Sequence, residues 1–453
     1  MSGAERDAVA KALARARAAG ADAADAVLAA GDSLETRVRG AEIDFVVQAR
    51  QRTLGLRALV RGTHGMRSAI TSTSDLSPEA IDRMADETVA LARATAEDPA
   101  AGLPDGGFAE AAAEDLGLGA AEDRSVSIEA RIDDARAAEA AARARDPRIV
   151  NSEGSQAASD FRRVVYGNSL GFLGSYESAT HSLTCEPLAR ENGSMQRDSW
   201  FSVARRLAAL EEPAAVGRRA AERALRRLGA RSVPTCEVPV LFEPITAASL
   251  LGQLAGCASG YAVYRKTSFL AGRLGEEIAS PLLSAIDDGR RPGGLGTRPF
   301  DGEGLPTRRN VLLLRGRLTS WLLDSYSARK LGLASTGNAA RSAGSAPSVG
   351  ATNLWIEPGA RTQDEIVADT RRGLLVTELI GMGFNPVTGD YSRGAAGLWI
   401  ENGEIVHPVE EVTIAGNFGQ MLRDVDAVGT DLLWLGRIAS PTLRVARMTV
   451  AGR

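Results

Sequence analysis

Metal-binding side chains are scarce in this sequence. Its 453 residues include three histidines and three cysteines. His64, His181 and His407 lie far apart, and none falls in H-E-x-x-H or a related spacing, the close helical pair on which zinc sites usually rest. Cys185, Cys236 and Cys257 are too few for a disulfide scaffold in so long a chain, and they predict a reducing compartment. Aromatic residues make up 5% of the chain, so the core must come from Ala, Leu and Val; a hydrophobic content of 44% is enough for one. No apolar run nears the roughly 18 residues that span a bilayer. Residues 1–17 are charged and Ala-rich without an apolar segment, unlike a signal peptide. The net charge is -4 with both signs mixed, which leaves no basic footprint for nucleic acid. A Walker A string and a G-x-G-x-x-G after a strand are both missing, so nucleotide binding has no support. The expectation is a soluble, cytoplasmic protein with neither membrane nor nucleic acid as a partner.

What is present reads as α+β. An N-terminal α/β-type region of helices on mixed sheets is followed by a β-rich C-terminal domain of antiparallel sheets. A helix is expected over 4–19 and strands over 24–29, 34–39, 54–60 and 66–71. Ser77-Pro78 opens a second helix, with Ser as cap and Pro in the first turn, where its missing N–H costs nothing. Ile81, Met84, Thr88 and Leu91 would form its inner stripe. Residues 98–125 are rich in Gly, Pro, Ala and acids without period, and read as a linker. The domain reading is therefore 1–97, linker 98–125, a second subdomain over 126–230 and a C-terminal domain over 235–453. A short buried strand is expected over 238–242, followed by a helical stretch at 245–260. The Gly-, Ser- and Ala-rich segment 335–350 reads as a long loop.

Two serine motifs need weighing. Gly167-Asn168-Ser169-Leu170-Gly171 matches G-x-S-x-G, which carries chemistry only on a strand–turn–helix elbow. Its flanks read strand–turn–strand, so it is expected to be hairpin punctuation. Ser327-Ala328-Arg329-Lys330 matches S-x-x-K but lacks the companion Ser-Asp-Asn and Lys-Thr-Gly strings. A metal-independent hydrolase built on either serine is the weakest functional reading. The arginines of Arg218-Arg219 and Arg226-Arg227 read as a solvated helix face. Cys257 reads as inert packing.

The most informative stretch runs from residue 383 to 417. Asn402-Gly403 is a strong hairpin signal, because both central residues of a type I′ turn need φ > 0. The strings GDYSRGAAGLWIENGEI and HPVEEVTIAGN, with LDSYSARKLGL (323–333) and YRKTSFL (264–270), resemble the signature of the TldE/PmbA branch of the TldD/PmbA family. The spacing fits from residue 33 to the C-terminus. The resemblance implies a two-subunit metallopeptidase, a TldD/TldE heterodimer acting on short or unfolded peptides. In it the TldD-type partner holds the zinc and the TldE-type chain holds none and is not catalytic by itself. A homodimer is open when the partner is missing.

In the active branch, an H-E-x-x-x-H helix follows a strand like 238–242. The corresponding positions fall at Leu251, Gly252 and Gly256, which offer neither ligand nor base. No cysteine follows Cys257, so the active branch's late Cys ligand has no counterpart. The polar residues of Gly-rich loops, Asn338, Arg341, Asp390, Tyr391 and Arg393, are the candidates to line a cleft shared with a partner. Asp390 and Arg393 either pair to hold a turn or face that cleft. The alternative function, from the family's gyrase-modulator label, is a regulatory binding protein without a peptidase role.

Overall fold

The computed structural model describes residues 3–40, 42–110 and 115–452. Of the expected linker 98–125, residues 111–114 lie outside the described residues.

The N-terminal half is one eight-stranded sheet. Its strands are β1 (Ala23–Arg39), β2 (Glu42–Arg61), β3 (Met66–Thr73), β4 (Glu97–Asp98), β5 (Ile149–Asn168), β6 (Leu173–Glu191), β7 (Ser194–Arg197) and β8 (Trp200–Ala204). The order is β4-β3-β2-β1-β5-β6-β7, with β8 also on β6. The sheet thus crosses the linker: β1 and β5, from the two stretches that the sequence separates, lie side by side from Asp25↔Asn168 to Val38↔Ser155. Every pair is antiparallel. Parallel pairing occurs in the C-terminal half instead. The expected strands 24–29 and 34–39 are one strand, because Gly31 and Asp32 are held on both sides, by Gln51 and Arg50 of β2 and by Arg162 and Phe161 of β5.

Helices α1 (Gly3–Ala18), α2 (Pro78–Ala94), α3 (Ile128–Ala144) and α4 (Pro213–Leu225) cover one face of this sheet. Ala24, Ala26, Leu28 and Val165 meet α1 and α2, while Ala157, Leu183 and Cys185 meet α3 and α4. Ser77 caps α2 through its hydroxyl, which accepts from the Ala80 N–H. The inner stripe of α2 holds Ile81, Met84 and Thr88, but Leu91 is 49% exposed; Val89 and Ala92 turn inward in its place.

The opposite face receives the C-terminal half. Val27, Val164 and Tyr166 pack on Phe300 and Ala343. The loop backbone at Ala343 lies directly on Gly55 of β2, where any Cβ would collide with the Ala343 carbonyl oxygen. Segment 335–350 is therefore seated on the sheet, and it carries a two-residue ladder of its own, Ala339–Ala340 with Ser348–Val349.

The C-terminal half is built on strand β9 (Cys236–Phe242), the expected short buried strand. Its six-stranded sheet runs Glu404–Asn417, Asp390–Glu401, Arg372–Ile380, β9, Leu443–Ala451, Val425–Val428. An added pairing of Thr413–Ala415 with Thr449–Ala451 closes the sheet on itself. Most pairs are antiparallel; Arg372–Ile380 runs parallel to β9 because helical segments intervene between them. Asn402 and Gly403 form the expected turn at φ 50° and 80°. Residues 404–409 and 411–415 belong to one strand, bent at Glu411, whose φ is 55°. Among the described residues, no helix is long and apolar enough to cross a membrane.

Candidate functional site

Strand β9 feeds directly into helix α5 (Pro244–Cys257). Pro244 sits in the first turn, where it needs no N–H partner. The helix is almost wholly apolar or small and buries Ala247, Leu250, Leu251, Leu254 and Ala255. Leu251 is 1% exposed and belongs to the main apolar core with Leu283, Phe418 and Met421. Gly252 lies under Ile438, whose Cδ1 would be 3.5 Å from an added Cβ, and Gly256 faces open space.

The N-terminal part of α5 forms one wall of a cleft of about 450 Å³ between the two halves. Ile245, Thr246 and Ser249 of α5, Thr377 to Leu379, and Arg393 line it from the C-terminal half. Arg197, Asp198, Phe201, Arg223 and Arg227 line it from the N-terminal half. The charges are mostly matched. Arg223 donates to Asp198 at 3.2 Å and to Glu243 at 2.7 Å; Arg226 donates to Glu243 at 3.0 Å. Arg227 lies 2.6 Å from Glu378. Burial works against the Arg223 charge, but Glu243 and Asp198 outweigh it and raise its pKa. Helix α4 is thereby tied to the start of α5. The basic run is only partly a solvated face: Arg218 and Arg219 are exposed, whereas Arg226 and Arg227 turn into this network. Sequence reasoning missed Asp198, Arg223, Glu243 and Glu378, whose partners lie on other elements; the one local signal was the four-residue spacing of Arg223, in the last turn of α4, and Arg227 just beyond it.

Of the five loop candidates, Arg393 alone lines this cleft. Its Nη2 makes a long 3.4 Å bond to the Leu379 carbonyl oxygen, the Tyr391 hydroxyl lies beside the guanidinium, and the buried Nε makes no well-formed hydrogen bond. Asp390 is exposed and accepts from the Thr388 hydroxyl at 2.6 Å. It does not pair with Arg393; three residues apart on one strand, the two point to opposite faces. Tyr391 is buried, stacked on Phe418 with centroids 6.3 Å apart. Asn338 is buried as well, donating to Asp287 at 2.7 Å and accepting from Thr336 at 2.7 Å. Arg341 sits at the contact between the halves, 2.7 Å from Asp25 of β1.

The serine motifs are structural. Ser169 lies in the hairpin between β5 and β6, and its hydroxyl accepts from the Ala24 N–H at 3.0 Å. Ser327 forms a capping box with Asp324 at the start of the helix Ser325–Leu331.

Three family models cover most of the chain: PmbA/TldA metallopeptidase domain 1 over residues 24–92, the central domain over 121–228 and the C-terminal domain over 235–452. The metalloprotease PmbA of Escherichia coli O157:H7 is 38% identical over 95% of this chain and 93% of its own length. The chain belongs to the PmbA/TldE branch of the PmbA/TldD family. The PmbA homologue of Haemophilus influenzae is 35% identical, covering 99% of this chain and 96% of its own. Among solved structures, a Bacteroides thetaiotaomicron protein described as a candidate modulator of DNA gyrase superposes with TM-score 0.91 at 27% identity over 100% of both chains. TldE from Thermococcus kodakarensis shares the fold, with TM-score 0.88 at 23% identity over 98% of this chain and 100% of its own. Homologues of the PmbA kind are named metalloproteases, which gives this family a peptidase-related role.

The family description implies a metal, and the residues present do not fit one. Positions 251, 252 and 256 carry no donor atom. No group of three or more His, Cys, Asp or Glu suited to a metal occurs among the described residues. The histidines lie in three separate surroundings. His181 is buried beside Ser159 (2.9 Å) and Asp123 (3.3 Å), and burial lowers its pKa against the pull of Asp123. His407 Nδ1 lies 2.9 Å from the Pro408 carbonyl oxygen, and the backbone N–H of His64 donates to Glu97.

Proposed function

We propose that this chain is the metal-free subunit of a TldD/TldE-type peptidase. It shapes the chamber in which a TldD-type partner cleaves short or unfolded peptides, and it works in a reducing, cytoplasmic setting. The observation that carries the reading is helix α5. It keeps its place after β9 and its packing on the core, yet Leu251, Gly252 and Gly256 have no group to bind an ion or move a proton. A helix emptied of ligands in this way retains its structural role while the chemistry passes to another chain. Two relatives named TldD homologues match 51% and 37% of this chain, at 27% and 30% identity, which supports a related partner chain. The described cysteines Cys185, Cys236 and Cys257 are all free thiols, in keeping with a reducing compartment.

The test is to purify the chain alone and with a TldD-type chain from the same genome. Alone, it should hold under about a tenth of an equivalent of zinc and cleave no peptide, since a zinc site needs three or four converging ligands. Co-expressed, the two should co-purify and cleave. Stoichiometric zinc or unaided cleavage by the single chain would overturn the proposal. The regulatory reading takes its support from the gyrase-modulator descriptions of two solved relatives. A net charge of -4 weighs against direct DNA contact. Capture of gyrase without any TldD-type chain would restore it.

A further inference from the structure

The cleft beside α5 holds one shielded cation whose charge the protein does not answer. Seven charged side chains line it: Arg197, Arg223, Arg227 and Arg393 against Glu186, Asp198 and Glu378. Arg223 is taken up by Asp198 and Glu243, and Arg227 by Glu378. Arg197 lies on the exposed rim. Arg393 differs from all of them. It is half-buried, no carboxylate among the described residues comes within ion-pair distance of it, and its neighbours are the neutral Leu379 carbonyl oxygen, at 3.4 Å, and the Tyr391 hydroxyl. Its Nε–H is shut off from water and makes no well-formed hydrogen bond. An Arg held this way retains most of its fork of donors, a geometry that matches a planar carboxylate in two parallel bonds.

The surroundings select the ligand further. Ser249 and Thr246 line the same space, but their hydroxyl protons are already given to backbone carbonyls, of Thr246 and of Glu243 and Val376. Their lone pairs therefore face a ligand as acceptors, fit for a peptide N–H. Leu379, Phe201 and Ile245 add apolar wall. Glu186 is the one carboxylate of the lining with no ion-pair partner among the described residues, and it disfavours a ligand carrying several negative charges. A volume of 450 Å³ lies within the range of about 300–1,000 Å³ usual for small-ligand sites.

We infer that this cleft is a subsite for the C-terminal carboxylate of a short peptide, with Arg393 as its anchor and the α5 hydroxyls as acceptors for the peptide backbone. The choice of a peptide rests on the proposed peptidase role; the carboxylate rests on the cleft alone. Such a subsite would let a chain without a metal select free chain ends.

The experiment uses the isolated full chain and needs no catalysis. Ala-Ala-Ala and its C-terminal amide are titrated by ligand-observed NMR. The free acid should bind at least tenfold more tightly, about 1.4 kcal/mol. Arg393→Gln should bring the acid down to the level of the amide while leaving the thermal unfolding midpoint in place. Arg197→Ala, on the rim, should change the acid's affinity by less than about threefold, the scale of a screened surface charge. Equal binding of acid and amide by the unmodified chain, no binding of either, or a preference that survives Arg393→Gln would overturn the subsite. So would inorganic phosphate displacing the peptide better than acetate does, since that marks a general anion site. Zinc content separates the two ideas: a zinc-loaded chain that still prefers the acid keeps the subsite and loses the subunit role, and a zinc-free chain without the preference does the reverse.

Discussion

Arg341 and Asp25 lie 2.7 Å apart with side chains 1% and 0% exposed, and they join the loop over the sheet to the first strand of that sheet. Asp25 also receives Arg57 at 3.1 and 2.6 Å. Burial pushes the Asp25 carboxyl up, but Arg341 and Arg57 outweigh it, so its pKa falls below the ordinary value. One carboxylate thus ties two cations, and through them the two halves of the molecule. Arg341→Met leaves Arg57 paired but removes this ion pair between the halves, and should cost about 3 kcal/mol in urea unfolding, the lower end for breaking a buried ion pair. Because the folded pKa of Asp25 is depressed, its contribution is present above its unfolded value and is lost as pH falls through the folded one. The acid limb of the stability curve should therefore be shallower in the variant. An unchanged midpoint would mean that the pair adds nothing to the contact.

Glu303 lies in the same buried region and behaves in the opposite sense. Burial is the main cause of its raised pKa, with Asp301 and Asp324 adding to it; Arg57 and the Ser325 N–H, which donates to Glu303 at 2.8 Å, hold it down. A carboxyl whose folded pKa is raised binds its proton more tightly in the native state. Stability should then fall as pH rises from the ordinary carboxyl range towards neutrality, and level off above the folded pKa. Glu303→Gln should flatten that slope and stabilise the chain at pH 8 by about 1 kcal/mol, roughly the equivalent of one pKa unit. Calorimetric midpoints between pH 5 and 8 would decide it, and a steeper slope in the variant would contradict it.

Placing a metal ligand at Leu251 should fail for a structural reason. The side chain points into the apolar core, so Leu251→His puts a polar ring among Leu283, Phe418 and Met421. A loss of about 2–4 kcal/mol is expected from cavity and unpaired polar groups together. Gly256→His, facing open space, should cost under about 1 kcal/mol. Denaturant midpoints of the two variants, side by side, test which face of α5 each position occupies.

Ser327→Ala should lower stability by about 1 kcal/mol through loss of its capping box. It should leave any peptidase activity of the two-chain complex unchanged. A loss of activity in a variant that still folds would revive a serine mechanism.

Local chemistry was readable where a residue answers to its neighbours in sequence. Ser77 and Pro78 start a helix, and Asn402-Gly403 turns a hairpin, for reasons contained in a few residues. The G-x-S-x-G string was also readable as a turn. What escaped depends on distant partners. Gly31-Asp32 looks like a break until strands pair on both sides of it. Leu91 fits a helical stripe by spacing, yet the sheet meets α2 at Val89 instead. Arg341 sits in a Gly- and Ser-rich loop that looks mobile, and nothing nearby announces that Asp25 awaits it. Arg226 and Arg227 look like surface charge for the same reason. That Leu251, Gly252 and Gly256 bring no side-chain donor was legible because it is a property of the residues themselves; the cleft beside them was not, since its walls come from both halves.

The C-terminal sheet, joined to itself through Thr413–Ala415 and Thr449–Ala451, makes its last strand a keystone. Leu443–Ala451 lies between β9, Val425–Val428 and Glu404–Asn417 at once. Shortening the protein by that strand would not trim a loose end; it would bare several rows of backbone together and leave α5 resting on an opened floor.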